Sequence, residues 1–242
     1  SAPARSSYQH IGECSIGMSL EVIDDPLLRH KKRVFRDRVH AGQLLAAKLA
    51  QHQGEACIVL AIPSGGVPVG RVVADRLGSA FDVIVVRKIQ IPWEPEAGFG
   101  AVTWDGDVLL NEPLVKRLHL TQDEINYCIS VTKEEIERRV KRLRGDKPFP
   151  DLIRKNVILI DDGLASGFTM LAAVKSVVKL GSKWVVVSIP TASKAALNLV
   201  TPYANEVICL NIRDEMFYAV ADAYREWHDL QDEEVLTYLK KP

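Results

Sequence analysis

The sequence predicts an open, doubly wound α/β domain with a mainly parallel five-stranded sheet, and three observations carry that reading. First, five short runs are nearly continuous in apolar residues and rich in valine or isoleucine: CIVLAI (57–62), FDVIVV (81–86), NVILI (156–160), WVVVSI (184–189) and EVICL (206–210). Strands covered by helices on both faces read this way. Second, segments of helical periodicity separate the runs, the alternation expected of crossover units. Third, a loop of small residues behind two aspartates follows the third run, and doubly wound sheets bind ligands beyond the carboxyl ends of their strands.

Each element has its own signal. After the first strand and PSGG (63–66), Pro68 suits a first helical turn, Val69, Val72, Val73 and Leu77 share a face, and Gly78 ends the helix. Arg87 and Lys88 follow the second run. In the long connection that follows, Thr121 and Glu124 form a capping-box signature, and Ile125, Ile129, Ile136, Val140 and Leu143 recur at helical spacing. Glu134/Arg138, Glu135/Arg139 and Glu137/Lys141 read as i,i+4 pairs on its solvated side, so this helix is expected to be structural. The helix after the third run carries Leu171, Val174 and Val178 and stops at Gly181. PTAS (190–193) and NIRDEMFYAV (211–220) follow the last two runs, and all five strand-end segments should converge on one crevice.

Composition excludes several function classes. Of 242 residues, 31 are Lys or Arg and 31 Asp or Glu, so nothing predicts general affinity for nucleic acid or membrane. Cys14, Cys57, Cys128 and Cys209 form no C-x-x-C pair, and a reducing, cytoplasmic setting is expected. No apolar run approaches the ~20 residues that span a bilayer. His30, His40, His52, His119 and His228 show no ligand spacing. Residues 1–17 read as a tag remnant or disordered extension before a start at Met18, and 18–242 as the functional domain.

The chemistry concentrates in VILIDDGLASGFTM (157–170). Gly163, Ala165, Ser166 and Gly167 let backbone N–H groups approach an anion, the helix starting near Gly167 adds its positive end, and Ser166 and Thr169 add hydroxyl donors. No G-x-x-x-x-G-K-[ST] is present, and the glycine spacing is not that of a dinucleotide fingerprint. Asp161 and Asp162 accept hydrogen bonds or attract cations. A ligand with a phosphate for the loop and a vicinal diol for the acids satisfies both, which is a ribose 5-phosphate moiety. A receiver-like signalling domain would instead carry its acidic pair after the first strand.

This acidic pair, small loop and Thr169 resemble the phosphoribosyl pyrophosphate (PRPP) motif of type I phosphoribosyltransferases. The resemblance extends to PSGGVPV as the pyrophosphate loop, VVRKIQIPWEPEAGFGAV as second strand and lid, MFYAVADAYREW as a tail segment, and FRDRVHAGQLLAAKL as the leading helix of an uncharacterised bacterial and archaeal subgroup. It implies a Mg²⁺-dependent pentosyltransferase moving ribose 5-phosphate from PRPP to a nitrogen acceptor, usually a nucleobase, with release of pyrophosphate. Asp161 and Asp162 would hold the ribose hydroxyls and reach the metal indirectly, through water or ligand. Residues 163–169, with Leu164 and Phe168 among them, would bind the 5′-phosphate. Ser64, Gly65, Gly66, Arg87 and Lys88 would meet the pyrophosphate. A flexible lid (89–103) containing Glu96 would exclude water, and a C-terminal hood (211–242) would contribute to the acceptor pocket with Pro190, Thr191, Phe217 and Tyr218. A homodimer is implied, because lids in the family reach a neighbouring subunit. The subgroup pattern has arginine where this chain has Ser64, and a small residue at Phe168. Ala165 replaces the aspartate of 6-oxopurine enzymes, which counts against hypoxanthine and guanine. The alternative is a non-catalytic PRPP- or nucleotide-binding regulatory protein on the same fold.

Overall fold

The structure is a computed structural model that describes residues 21–54, 56–215 and 217–240, with the side chains of Pro95 and Glu96 outside the description. The proposed extension over 1–17 lies outside the described residues. In chain order the elements begin with α1 (Arg38–Lys48), β1 (Cys57–Ala61), α2 (Gly66–Leu77), β2 (Ala80–Val83), β3 (Val86–Ile91), β4 (Glu94–Thr103) and β5 (Val108–Leu110). They continue with α3 (Glu112–Arg117), α4 (Gln122–Arg144), β6 (Asn156–Ile160), α5 (Phe168–Lys179), β7 (Trp184–Ser193), α6 (Lys194–Val200), β8 (Glu206–Arg213) and α7 (Asp232–Leu239).

The main sheet has five strands in the order β2-β1-β6-β7-β8, all pairs parallel. The apolar runs are two-sided for the reason expected. In β6, Val157 and Leu159 enter one core with α5 and α6, while Ile158 and Ile160 enter another with α1 and α2. Helix ends follow their signals. Thr121 and Glu124 form the capping box of α4, and Gly78 closes α2 in the left-handed region at φ 66°.

Three boundaries differ from the sequence reading. FDVIVV is not one strand: β2 ends at Val83, and β3 begins at Val86 in a second, antiparallel sheet ordered β3-β4-β5. The segment expected as a flexible lid, 89–103, makes most of that sheet, with Ile89, Ile91 and Phe99 buried against α4 and neighbouring elements. Its turn is exposed at Pro92, Trp93 and Glu94. PTAS and the residues 211–213 are not loops but the ends of β7 and β8, which stay paired through Ser193 and Arg213.

Candidate functional site

The loops after β1 and β6 lie against each other at the carboxyl ends of the sheet. Glycine is required there by packing. A Cβ on Gly65 would sit 1.8 Å from Oδ2 of Asp162, and one on Gly66 would lie 2.7 Å from the Ile160 carbonyl oxygen and 2.9 Å from Cα of Asp161. The 63–66 loop thus touches the acidic loop with backbone alone. The peptide bond between Pro63 and Ser64 is cis.

The two aspartates have different surroundings. Asp162 is buried at 9% exposure, and its Oδ2 accepts a 2.8 Å bond from Nε of Arg38, itself buried on α1. Arg38 also donates to the His228 carbonyl and lies 3.8 Å from the ring centre of Trp227. The Tyr224 hydroxyl donates to the Asp162 backbone carbonyl at 2.6 Å. Asp161 is half-buried and accepts from the Asp162 N–H at 2.8 Å. Burial pushes the Asp161 carboxyl well above the usual carboxylate range, and the Asp162 charge adds to the rise. Burial also raises Asp162, against the opposing pull of Arg38. Of the pair, Asp161 is the less buried, whereas the carboxylate of Asp162 is turned to Arg38.

The 163–169 loop is pinned to β7. Leu164 bridges Ala192, and Ser193 Oγ donates to the Ala165 carbonyl. Gly167 precedes α5 in the left-handed region at φ 81°, while Ala165 and Ser166 are exposed. Thr169 is half-buried in the first turn of α5. Gly163 is small for another reason than expected: a Cβ there would meet Val220 at 2.6 Å and Thr191 at 2.9 Å. Leu164 is buried, and Phe168 packs against the core of α5 and α6, so both side chains leave the loop surface.

Across the crevice, Pro63, Ser64, Val86, Arg87, Lys88, Gln90 and Arg139 line a cleft of about 250 Å³. Arg87 pairs with Glu135 at 2.9 Å, and Arg139 Nη2 donates to Ser64 Oγ at 2.5 Å. Arg139 therefore faces the 63–66 loop, and Glu135 pairs with Arg87; the expectation of a purely solvated Glu135/Arg139 pair is corrected. Arg38 and Arg139 were missed by sequence reasoning, although both lie on the buried stripes of their helices: Arg38 with Ala41 and Leu45, Arg139 between Ile136 and Leu143.

The acceptor residues divide. Pro190 and Thr191 lie inside β7, and the fully buried Thr191 hydroxyl is bonded to Asn211 and Tyr218. Both residues lie beneath the crevice surface rather than on it. Tyr218 is half-buried, and burial pushes its hydroxyl above the usual tyrosine range. Phe217 is 86% exposed. Tyr224 is buried in the core, whereas Trp227 is partly exposed over Arg38. The Glu96 side chain lies outside the described residues.

Among the described residues no group of three or more His, Cys, Asp or Glu is arranged to hold a metal, and no helix is long and apolar enough to cross a membrane. Comparison with known proteins gives a consistent result. The phosphoribosyl transferase domain family matches residues 36–226. Two curated relatives from Mycobacterium tuberculosis strains CDC 1551 / Oshkosh and ATCC 25618 / H37Rv, each named "Putative phosphoribosyl transferase", are 36% identical over 209 residues. The match covers 86% of this chain and 47% of each relative, so the chain spans about half the length of the curated relatives it matches. The crystal structure of TT1426 from Thermus thermophilus is similar with a TM-score of 0.70 and 36% identity, covering 85% of this chain and 97% of that one.

Proposed function

We propose, from the premise that the chain belongs to the phosphoribosyl transferase domain family, that its crevice binds PRPP and transfers ribose 5-phosphate to a nitrogen acceptor. The observation that carries this reading is the contact between the acidic loop and the 63–66 loop, where glycine is sterically required at 65 and 66. In this reading the contact sets a carboxylate for a diol next to a cation-lined cleft for a polyphosphate, the order in which PRPP presents those groups.

In this reading Asp161 accepts from the ribose hydroxyls, and Asp162, held by Arg38, fixes the loop and its charge from behind. Backbone N–H groups of residues 165–169 and the hydroxyls of Ser166 and Thr169 bind the 5′-phosphate; Gly163, Leu164 and Phe168 shape the loop by packing. The C1–O bond of PRPP breaks with its electron pair leaving on pyrophosphate, a C1–N bond forms, and the acceptor nitrogen loses its proton. Arg87 and Lys88 stabilise the charge that develops on the leaving group. The exposed turn of the β3–β4 hairpin covers the oxocarbenium-like centre from water.

The donor set fits Mg²⁺ in an indirect role: one half-buried carboxylate, Asp161, suits an ion held mainly by substrate oxygens and water. When bound with the donor, Mg²⁺ would neutralise charge on the pyrophosphate. A nucleobase or related heterocycle as acceptor, a homodimer and a cytoplasmic setting belong to the same reading. Binding without turnover is the second reading. It is favoured by Ser64, which offers a hydroxyl but no charge, and by the burial of Pro190 and Thr191. Pyrophosphate release measured across a panel of nucleobases with PRPP and Mg²⁺ separates the two: release with one acceptor supports transfer, and donor binding with none supports the second reading.

A further inference from the structure

We propose that Arg139, on α4, is a pyrophosphate-binding residue that brings a third cation to the 63–66 loop. The inference rests on the reading of the crevice as a PRPP site and extends it to a helix outside the strand ends. Arg139 is mostly buried, lines the same cleft as Arg87 and Lys88, and directs Nη2 onto Ser64 Oγ at 2.5 Å. Ser64 follows β1 in the loop whose backbone abuts Asp161 and Asp162. A guanidinium in this place reaches any anion seated on the loop.

Its present carboxylate partner is a poor match. Asp232, on α7, lies 3.4 Å from Arg139 and is shared with Arg142 at 3.1 Å. Glu135, the other acid beside the cleft, is occupied by Arg87. Burial and the Arg87 charge disfavour the charged guanidinium, with Asp232 opposing them. Two guanidinium groups thus face one cleft, and the acid opposite Arg139 is divided with a third. A polyphosphate supplies further negative charge and accepts a forked pair of N–H bonds, a geometry arginine suits. A solvated helix face does not need an arginine at the stripe position between Ile136 and Leu143.

The test is calorimetry with inorganic pyrophosphate and, separately, ribose 5-phosphate on the full chain, comparing the wild type with Arg139→Gln and Asp232→Asn. Arg139→Gln is expected to weaken pyrophosphate about 10- to 100-fold, the worth of a charge-assisted contact, and to leave ribose 5-phosphate within about twofold. Asp232→Asn is expected to tighten pyrophosphate, because it removes the competitor for the guanidinium. A strut between α4 and α7 would give the opposite sign or no change. Equal pyrophosphate affinity in the wild type and Arg139→Gln overturns the inference while leaving the donor site standing. If Arg139→Gln fails to fold, unchanged or weakened pyrophosphate binding by Asp232→Asn overturns it instead. A wild type that binds neither ligand removes the donor-site reading and the inference with it.

Discussion

Asp161 and Asp162 are neighbours in sequence with different surroundings. The Asp162 carboxylate is paired with Arg38, and the half-buried Asp161 carboxyl lies beside that buried charge. A carboxyl raised in the folded state is more protonated there than in the unfolded chain. Its favourable contribution is full below the unfolded carboxyl pKa of about 3.9 and is lost as pH rises through the folded value. Ligand-free protein should therefore lose stability with rising pH across that window. Asp161→Asn should flatten the slope and raise the melting temperature at neutral pH, as read by thermal denaturation at a series of pH values, while weakening PRPP binding. Arg38→Met should cost about 3–5 kcal/mol in denaturant unfolding, because it leaves the Asp162 charge buried and unpaired. Arg38→Met combined with Asp162→Asn should recover a large part of that loss, since the two side chains share one interaction. Equal losses in the single and double variants would contradict the pairing.

Elements set where these residues meet. The closest constraint is between the loops after β1 and β6, where Gly65 has no room for a methyl group. Gly65→Ala must displace the Asp162 carboxylate from Arg38. It should cost about 1–3 kcal/mol from overpacking alone and reduce donor affinity in the same variant. Unchanged unfolding and unchanged affinity would mean that the loops do not need this contact. The strands were legible because two-sided burial leaves a continuous apolar run. Their ends were less so: β7 and β8 continue through Thr191 and Asn211, polar residues that satisfy each other inside the sheet and so read as loop. FDVIVV misled in the opposite sense, since residues 83–86 are apolar without a break but divide between two sheets at Val83 and Val86. The acidic loop and PSGG stand out in the sequence by their chemistry, and the structure brings the two loops into contact. Arg38 and Arg139 do not stand out, because ion-pair spacing suggested solvent for Arg139 while the apolar stripe it interrupts went unweighed. An arginine at a buried stripe position was the available signal for both.

At the scale of the molecule, positive and negative charges balance overall, so affinity for a polyanion has to be local. The cleft between the 63–66 loop, β3 and α4 gathers Arg87, Lys88 and Arg139, while the acidic loop stands across the contact at Gly65 and Gly66. Three parts of the chain therefore build one crevice: the main sheet gives the loops, the antiparallel sheet gives Arg87 and Lys88, and the α1, α4 and C-terminal segments hold the charges in place. What matters most is whether that crevice takes the whole donor. PRPP titrated by calorimetry with and without Mg²⁺, beside an Asp161→Asn/Asp162→Asn variant, tests this most directly. Metal-dependent binding in the micromolar range, about −8 kcal/mol, is expected in the wild type and should be lost in the variant. No heat from PRPP and no competition by ribose 5-phosphate, in a wild-type protein that is folded, would contradict the assignment of the crevice as a donor site.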